Sequence, residues 1–346
     1  HSIQYRENCN TYLVKCERIY SKMVDFDRKN FRELFLKDEI SVPKTLLMKD
    51  LFNHYISVAD IKLKTKGHIR ATGNILESFK ENVTVTDITV DFLKKFEKYK
   101  IEKGCSRATI DSYNRDIRRI LNYYTQVEKV IPSSYEYPYG KGRYSVSSFF
   151  PKKMVISQHE IQALIDLKDF QSKDEEYARD IWLFLYRANG INFADLLRLR
   201  WENIKGDYII LTRKKTETTR KNNIKEIIIP VNPKLRSLIN KIGVKRSSFV
   251  LGKLKEGYTE SYFNNKIRKL KRLINSNLME ISSHLNISIP LKMSTARDSY
   301  ATTLLRSGRT KDEISAMLGH SNSVVTEHYL ASISHEETFL INDSIL

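Results

Sequence analysis

Apolar side chains recur at the three-to-four-residue spacing of a helix along most of this chain. Tyr12, Leu13, Cys16, Ile19, Tyr20 and Met23 predict a helix over 8–38, whose second half turns charged. Ser41-Val42-Pro43 ends it, because a residue before proline is pushed out of the helical region. A block of four helices is expected next. Leu47, Leu51, Tyr55 and Val58 mark one face over 46–58, and a second helix runs over 66–80. Thr89 can cap a third, with Phe92, Leu93, Phe96 and Tyr99 inward. After the turn at Gly104, Ser106 can cap a fourth that reaches about residue 127. Its apolar face carries Ile110, Tyr113, Ile117, Ile120, Leu121 and Tyr124, with Arg107, Arg115, Arg118 and Arg119 beside them.

Between 130 and 153 the periodicity dissolves into Pro132-Ser-Ser-Tyr, Tyr137-Pro-Tyr-Gly-Lys-Gly and Phe149-Phe-Pro-Lys-Lys, which reads as a basic linker. The pattern restarts at Ser157-Gln-His-Glu160, the Ser-x-x-Glu spacing of a capping box. A strongly apolar helix around 181–186, a turn at Gly190 and a short helix over 193–199 follow. Two β-rich stretches, 207–213 and 224–231, are joined by a polar, basic turn. Asn232-Pro233 restarts the helical pattern with a cap and a proline in the first turn, and helices continue to the C-terminus. The expected protein is mainly α. It has a helical connector over 1–44, a helical domain over 45–129, a linker over 130–153, and a mixed α/β domain over 154–346, mostly helical with one small antiparallel sheet.

Composition changes this picture chiefly through charge. With 346 residues, 41% of them hydrophobic, the chain has apolar material for two cores. No apolar run approaches the ~20 residues that cross a bilayer. Cys9, Cys16 and Cys105 are too few and too scattered for a disulfide framework or a zinc-finger spacing, and they suit a reducing cytosol. Lys and Arg number 59 against 41 Asp and Glu, a formal net charge of +18, and both halves of the chain are basic. Two domains lying against one long polyanion need that distribution, although charge alone also fits a basic protein with no nucleic-acid role. The chain opens on His1-Ser2 rather than Met and shows no signal-peptide pattern, which reads as an expression-tag remnant or an excised fragment.

The C-terminal third carries the informative spacing: Ser294-Thr-Ala-Arg297, then Leu318-Gly-His320, then Thr326-Glu-His-Tyr329, with Tyr329 nine residues after His320. Alone, each residue has an ordinary use, Arg297 in a surface ion pair, His320 in a cap, Tyr329 in a core. Their order and spacing together resemble the catalytic end of the tyrosine recombinase (phage integrase) family, which runs His-x-x-Arg, Leu-Gly-His and a nucleophilic Tyr nine residues on. Upstream, Lys215-Thr216 at the end of the first β-stretch is similar to the family's β-hairpin lysine. Gly190-Ile-Asn-Phe-Ala-Asp-Leu-Leu-Arg-Leu resembles its Gly-Leu-Arg-x-x-Glu-Leu segment, and the helical block at 46–127 its SAM-like core-binding domain. The resemblance spans about residues 45–332.

Residue chemistry stands beside that resemblance. Breaking a phosphodiester without metal needs a nucleophile, a proton donor for the leaving 5′-oxygen and cations for the equatorial oxygens. Tyr329 has the nucleophile's chemistry, and a phenol keeps the bond's energy in a 3′-phosphotyrosine. Arg297 offers a planar, permanently charged fork for two phosphate oxygens. Lys215, on a hairpin turn, can serve the leaving oxygen as general acid. His320 follows a helix that Thr310-Lys-Asp-Glu313 opens with a capping box and Gly319 ends. No magnesium-binding carboxylate motif or phosphate-cradling glycine loop is present, so no metal and no cofactor is expected.

Two positions depart from the family pattern. Ser294 stands where the first His belongs and Asn192 where the first catalytic Arg belongs; both read as secondary phosphate contacts. Losing one of two arginines would cost several kcal/mol of transition-state stabilisation. Arg187, five residues upstream of Asn192, is the expected substitute cation, ahead of Arg179. The missing Arg resembles the conjugative-transposon integrase branch, in which that loss coexists with activity. Arg107, Arg115, Arg118 and Arg119 are expected to meet DNA phosphates.

The resemblance implies a site-specific recombinase of the bacterial cytoplasm, associated with the nucleoid and acting on double-stranded DNA of a mobile element. It implies a homo-tetramer on two DNA sites and a monomer without DNA, accessory DNA-bending proteins as partners, and no membrane. Phe339-Leu340-Ile341 and Ile345-Leu346 form an apolar tail suited to docking on a neighbouring protomer. The helix at 8–38 resembles the connector after an arm-site-binding domain in longer integrases. Type IB topoisomerase chemistry and a non-catalytic DNA-binding relative, broken at Asn192 and Ser294, stay open as alternatives.

Overall fold

The computed structural model describes residues 12–13, 15–17, 19–20, 23, 26–37, 46–131, 135–146, 153–212 and 226–319. The chain forms two compact units, 1–151 and 152–346, each with its own core.

In the first unit, the single helix expected over 8–38 is interrupted. Helical residues within 12–20 give way to non-helical backbone at 26–27, and α1 (Arg28–Lys37) starts afresh. Asp27 is the cause: its carboxylate accepts from the backbone N–H groups of Lys29 (3.2 Å) and Asn30 (3.0 Å), as a helix cap does. Four helices then enclose the core: α2 (Met48–Val58), α3 (Leu63–Phe79), α4 (Val90–Glu102) and α5 (Arg107–Asn122). Thr89 Oγ1 accepts from Phe92 N–H (3.2 Å) and Ser106 Oγ from Thr109 N–H (3.3 Å), so α4 and α5 begin at the expected caps. Phe52, Ile69, Leu93, Phe96, Ile117 and Ile120 fill the centre.

Residues 135–146 lie within the stretch that reads as a linker, yet they pack on this core. Tyr139 and Tyr144 are buried. Tyr139 Oη donates to Asn114 Oδ1 (3.1 Å), Tyr144 Oη to Glu97 Oε2 (2.7 Å) and Tyr135 Oη to the Ile88 carbonyl (2.8 Å). A tyrosine buries a large ring while its hydroxyl finds a partner, so such a loop docks without apolar periodicity.

The second unit runs α6 (Gln158–Asp166), α7 (Lys173–Arg187), α8 (Phe193–Arg198), β1 (Ile204–Lys205), β2 (Tyr208–Thr212), β3 (Glu226–Pro230), α9 (Pro233–Ile242), α10 (Glu260–His284), α11 (Met293–Arg306) and α12 (Lys311–Met317). The strands form one antiparallel sheet in that order, with Ile209 opposite both Ile204 and Ile229. Ile209, Leu211, Ile227 and Ile229 alternate toward the core, as a half-buried sheet requires. The central helix is α7, which packs against α9, α10 and α11 and buries Ile181, Trp182, Phe184 and Leu185. The mainly helical architecture with one small antiparallel sheet is the one expected. No helix among the described residues is long and apolar enough to cross a membrane.

Candidate active site

The site is built on the seat that α7 makes for α11. Trp182 Nε1 donates to Thr295 Oγ1 (2.9 Å), and the Tyr186 ring stacks on Trp182. The Tyr186 and Thr303 hydroxyls pair at 3.1 Å, and Tyr300 Oη donates to Asn189 Oδ1 (3.0 Å). From that seat the half-buried Arg297 spans two backbone carbonyls: Nη1 donates to Gly190 O (2.6 Å) and Nη2 to Leu318 O (2.7 Å). Gly190 has φ +61°, and a Cβ there would stand 3.2 Å from both Cα and Cγ of Arg297. Only glycine meets both conditions without strain.

Leu318 is carried by α12, which opens with the expected capping box: Thr310 N–H donates to Glu313 Oε2 (2.8 Å) and Glu313 N–H to Thr310 Oγ1 (3.3 Å). Gly319 ends that helix at φ +62°, and a Cβ there would stand 2.5 Å from Cδ1 of Ile227 on β3. One guanidinium therefore ties the 190 turn to the end of α12, which in turn lies against β3. His320 follows Gly319 directly, and Lys215 belongs to the segment between β2 and β3. Lys215, His320 and Tyr329 themselves lie outside the described residues, as does the apolar tail.

The remaining candidates fall in two places. Asn192, two residues past Gly190, starts α8 and donates from Nδ2 to Asp195 Oδ2 (3.3 Å). Ser294 is exposed in the first turn of α11, one turn before Arg297. Both therefore sit on the segments that carry Arg297 and its carbonyl partner. Arg187 is directed elsewhere. It lies on the face of α7 that bears Arg179 and Leu183 and lines a groove against α9, not on the Trp182–Tyr186 face that seats α11. Burial, and after it the charge of Arg179, lower the pKa of Arg187. Arg179 is committed structurally: its Nη1 donates to the carbonyls of Leu164 (3.3 Å), Ile165 (3.3 Å) and Leu167 (3.2 Å) at the end of α6. Lys153, read within the linker, forms an ion pair with Asp298 (3.3 Å), the neighbour of Arg297.

The four arginines of α5 divide into two pairs. Arg107 is ion-paired with Glu97, and Arg119 with Asp116 at 3.5 Å. Arg115 and Arg118 are exposed, and among the described residues no ion pair engages either. Helix α10 carries a second basic run that the sequence reading passed over: Lys266, Arg268, Lys269, Lys271 and Arg272, again with no ion pair among the described residues. The dense run of cations was its only signal. Among the described residues no cluster of three or more His, Cys, Asp or Glu side chains is placed to hold a metal ion.

Compared with known protein families, residues 154–336 match the phage integrase family and residues 47–137 the phage integrase SAM-like domain. Fold and sequence together define a tyrosine recombinase. The chain belongs to the phage integrase family, whose members catalyse DNA cleavage and rejoining. No curated protein sequence matches it. Among solved structures, the Tn1549 transposon integrase in complex with transposon right end DNA is 15% identical, with a TM-score of 0.60 over 86% of this chain and 99% of that one. A lambda integrase dimer bound to a COC′ core site is 13% identical, with a TM-score of 0.60 over 84% of this chain and 79% of that one. A lambda integrase tetramer bound to a Holliday junction is 12% identical, with a TM-score of 0.58 over 88% of each. At these identities the likeness is one of fold.

Proposed function

We propose that this chain integrates or excises a mobile element by site-specific recombination, with Tyr329 as nucleophile. The Tyr329 phenol oxygen attacks the scissile phosphorus and passes its proton to solvent water as the P–O bond forms. The bond to the 5′-oxygen breaks, Lys215 protonates that oxygen, and the products are a 3′-phosphotyrosine and a free 5′-hydroxyl. Arg297 and His320 stabilise the equatorial oxygens, with Ser294 and Asn192 as secondary contacts. Attack by a 5′-hydroxyl from the partner site reverses the chemistry and completes the exchange, so neither ATP nor metal enters the balance.

The observation that carries this reading is the clamp on Arg297. The Arg of the family pattern, Arg297, is joined by hydrogen bonds of 2.6 and 2.7 Å to Gly190 and to the Leu318 that precedes Gly319 and His320. That joining gives a phosphate-binding guanidinium a fixed orientation. Residues 45–129 act as the core-binding domain, using Arg115 and Arg118, and 154–346 as the catalytic domain, with α10 adding phosphate contacts. Solved relatives on transposon-end DNA and, as a tetramer, on a Holliday junction support duplex DNA as partner and four protomers on two sites. The work is done on cytoplasmic, nucleoid DNA, with accessory bending proteins shaping the sites.

A plasmid carrying two copies of the element's end sequence tests the proposal. Exchange that requires both copies supports it. Relaxation of supercoils on a plasmid with neither copy would point to topoisomerase chemistry, and binding with no strand cleavage to a non-catalytic relative.

A further inference from the structure

The groove between α7 and α9 holds charge that the other described residues leave unanswered. It has a volume of about 410 Å³ and is lined by Arg179, Arg187, Lys234 and Lys241, with Ser237 and one carboxylate, Asp180. Two of the four cations are compensated. Lys241 Nζ lies 2.7 Å from Asp180 Oδ2 and 2.5 Å from Glu176 Oε1. Arg179 Nε lies 2.8 Å from Asp180 Oδ1, and its Nη1 is spent on the end of α6. The other two differ: among the described residues, neither Arg187 nor Lys234 makes a hydrogen bond or an ion pair. Lys234 is exposed and hydrated at little cost. Arg187 is half-buried, and burial together with the neighbouring Arg179 depresses its pKa, the mark of a cation held in an unfavourable place. Such a charge is costly unless an anion meets it.

We propose that this groove is a binding site for a phosphate group, separate from the Arg297 centre. Arg187 presents its planar fork to two phosphate oxygens, the bidentate geometry in which Arg surpasses Lys. Lys234 and Ser237, three residues apart on α9, share a helix face and close on the remaining oxygens. The phosphate belongs either to the backbone of bound DNA or to a free phosphoryl compound. The site lies on the face of α7 that does not seat α11, and its failure would leave the recombinase reading standing.

The test uses the full chain and inorganic phosphate, exchanged for chloride at constant ionic strength, with thermal unfolding as the readout. Arg187→Gln and Lys234→Gln should each weaken the apparent phosphate affinity about tenfold or more, while Arg297→Ala, which removes the phosphate contact proposed at the other centre, still leaves a phosphate response that depends on Arg187. Without phosphate, Arg187→Gln should not lower the Tm, because among the described residues the charge it removes has no partner. An unchanged phosphate response in both glutamine variants would overturn the proposal, and so would a response lost only in Arg297→Ala. A drop in Tm for Arg187→Gln in phosphate-free buffer would do the same, by revealing a partner within the chain. If Arg187→Gln does not fold, the exposed Lys234→Gln decides alone. Salt titration of duplex binding separates the sources: a log–log slope shallower by about 1 per lost contact identifies DNA backbone, and an unchanged slope beside a lost phosphate response identifies a free phosphoryl compound.

Discussion

The carbonyl oxygen of Gly190 accepts a 2.6 Å hydrogen bond from Arg297, and the space where Gly190 lacks a side chain is closed by the Cα and Cγ of that same arginine. The turn and the arginine are thus fitted to one another. Gly190→Ala adds a Cβ 3.2 Å from both atoms at a residue whose φ is +61°. It should lower stability by about 1–2 kcal/mol, the cost of a left-handed L-residue, and reduce cleavage further by displacing the guanidinium. Urea unfolding and adduct formation measured on the same variant separate the two effects.

Arg297 does two jobs, bracing two carbonyls and meeting phosphate. Arg297→Ala should lower cleavage by ~10²–10³-fold with little change in DNA affinity, the pattern of an interaction made mainly in the transition state. Arg297→Lys should recover little of this, because one ammonium cannot reproduce a fork that spans Gly190 O and Leu318 O. Single-turnover cleavage beside a binding titration measures both quantities.

On α5, pairing predicts unequal contributions. Neutralising Arg115 or Arg118, which no ion pair engages among the described residues, should shallow the log–log salt dependence of DNA binding by about 1 each. Neutralising Arg107, already paired with Glu97, should change it less. Equal slopes for all variants would assign the DNA contacts to another surface, and the run on α10 would be tested next.

The capping box of α6 adds a pH dependence. Burial alone would raise the pKa of Glu160, but backbone N–H groups of Ser288 and Ser157, each 2.6 Å from its carboxylate, outweigh it and lower the value. A carboxyl lowered on folding contributes fully above its unfolded pKa and loses that contribution as pH falls through the folded one. Stability should therefore decline below the ordinary glutamate range, and Glu160→Gln should make that decline shallower. Denaturant midpoints between neutral and acid pH give the comparison.

Much of this was legible because its causes are local. The caps at Thr89, Ser106, Ser157, Asn232 and Thr310 each act within three residues, and all five are present. The expected strands appear as β2 and β3, set by alternating apolar residues. Less legible were features decided by distant partners. Tyr139 docks on Asn114 of α5, and Tyr144 on Asn114 and on Glu97 of α4, through side-chain hydrogen bonds that no periodicity announces. The direction of Arg187 depends on how α7 is rotated by Trp182 and Tyr186 packing on α11. The partners of Arg297 are backbone carbonyls, and a carbonyl leaves no trace in residue identity.

A covalent intermediate on Tyr329 can be trapped with a nicked suicide substrate whose cleavage releases the 5′-hydroxyl fragment. An SDS-stable protein–DNA adduct should form in EDTA, map by peptide mass to Tyr329, and vanish in Tyr329→Phe while DNA binding persists. An adduct that survives in Tyr329→Phe, or cleavage that stops in EDTA and returns with magnesium, would contradict this prediction.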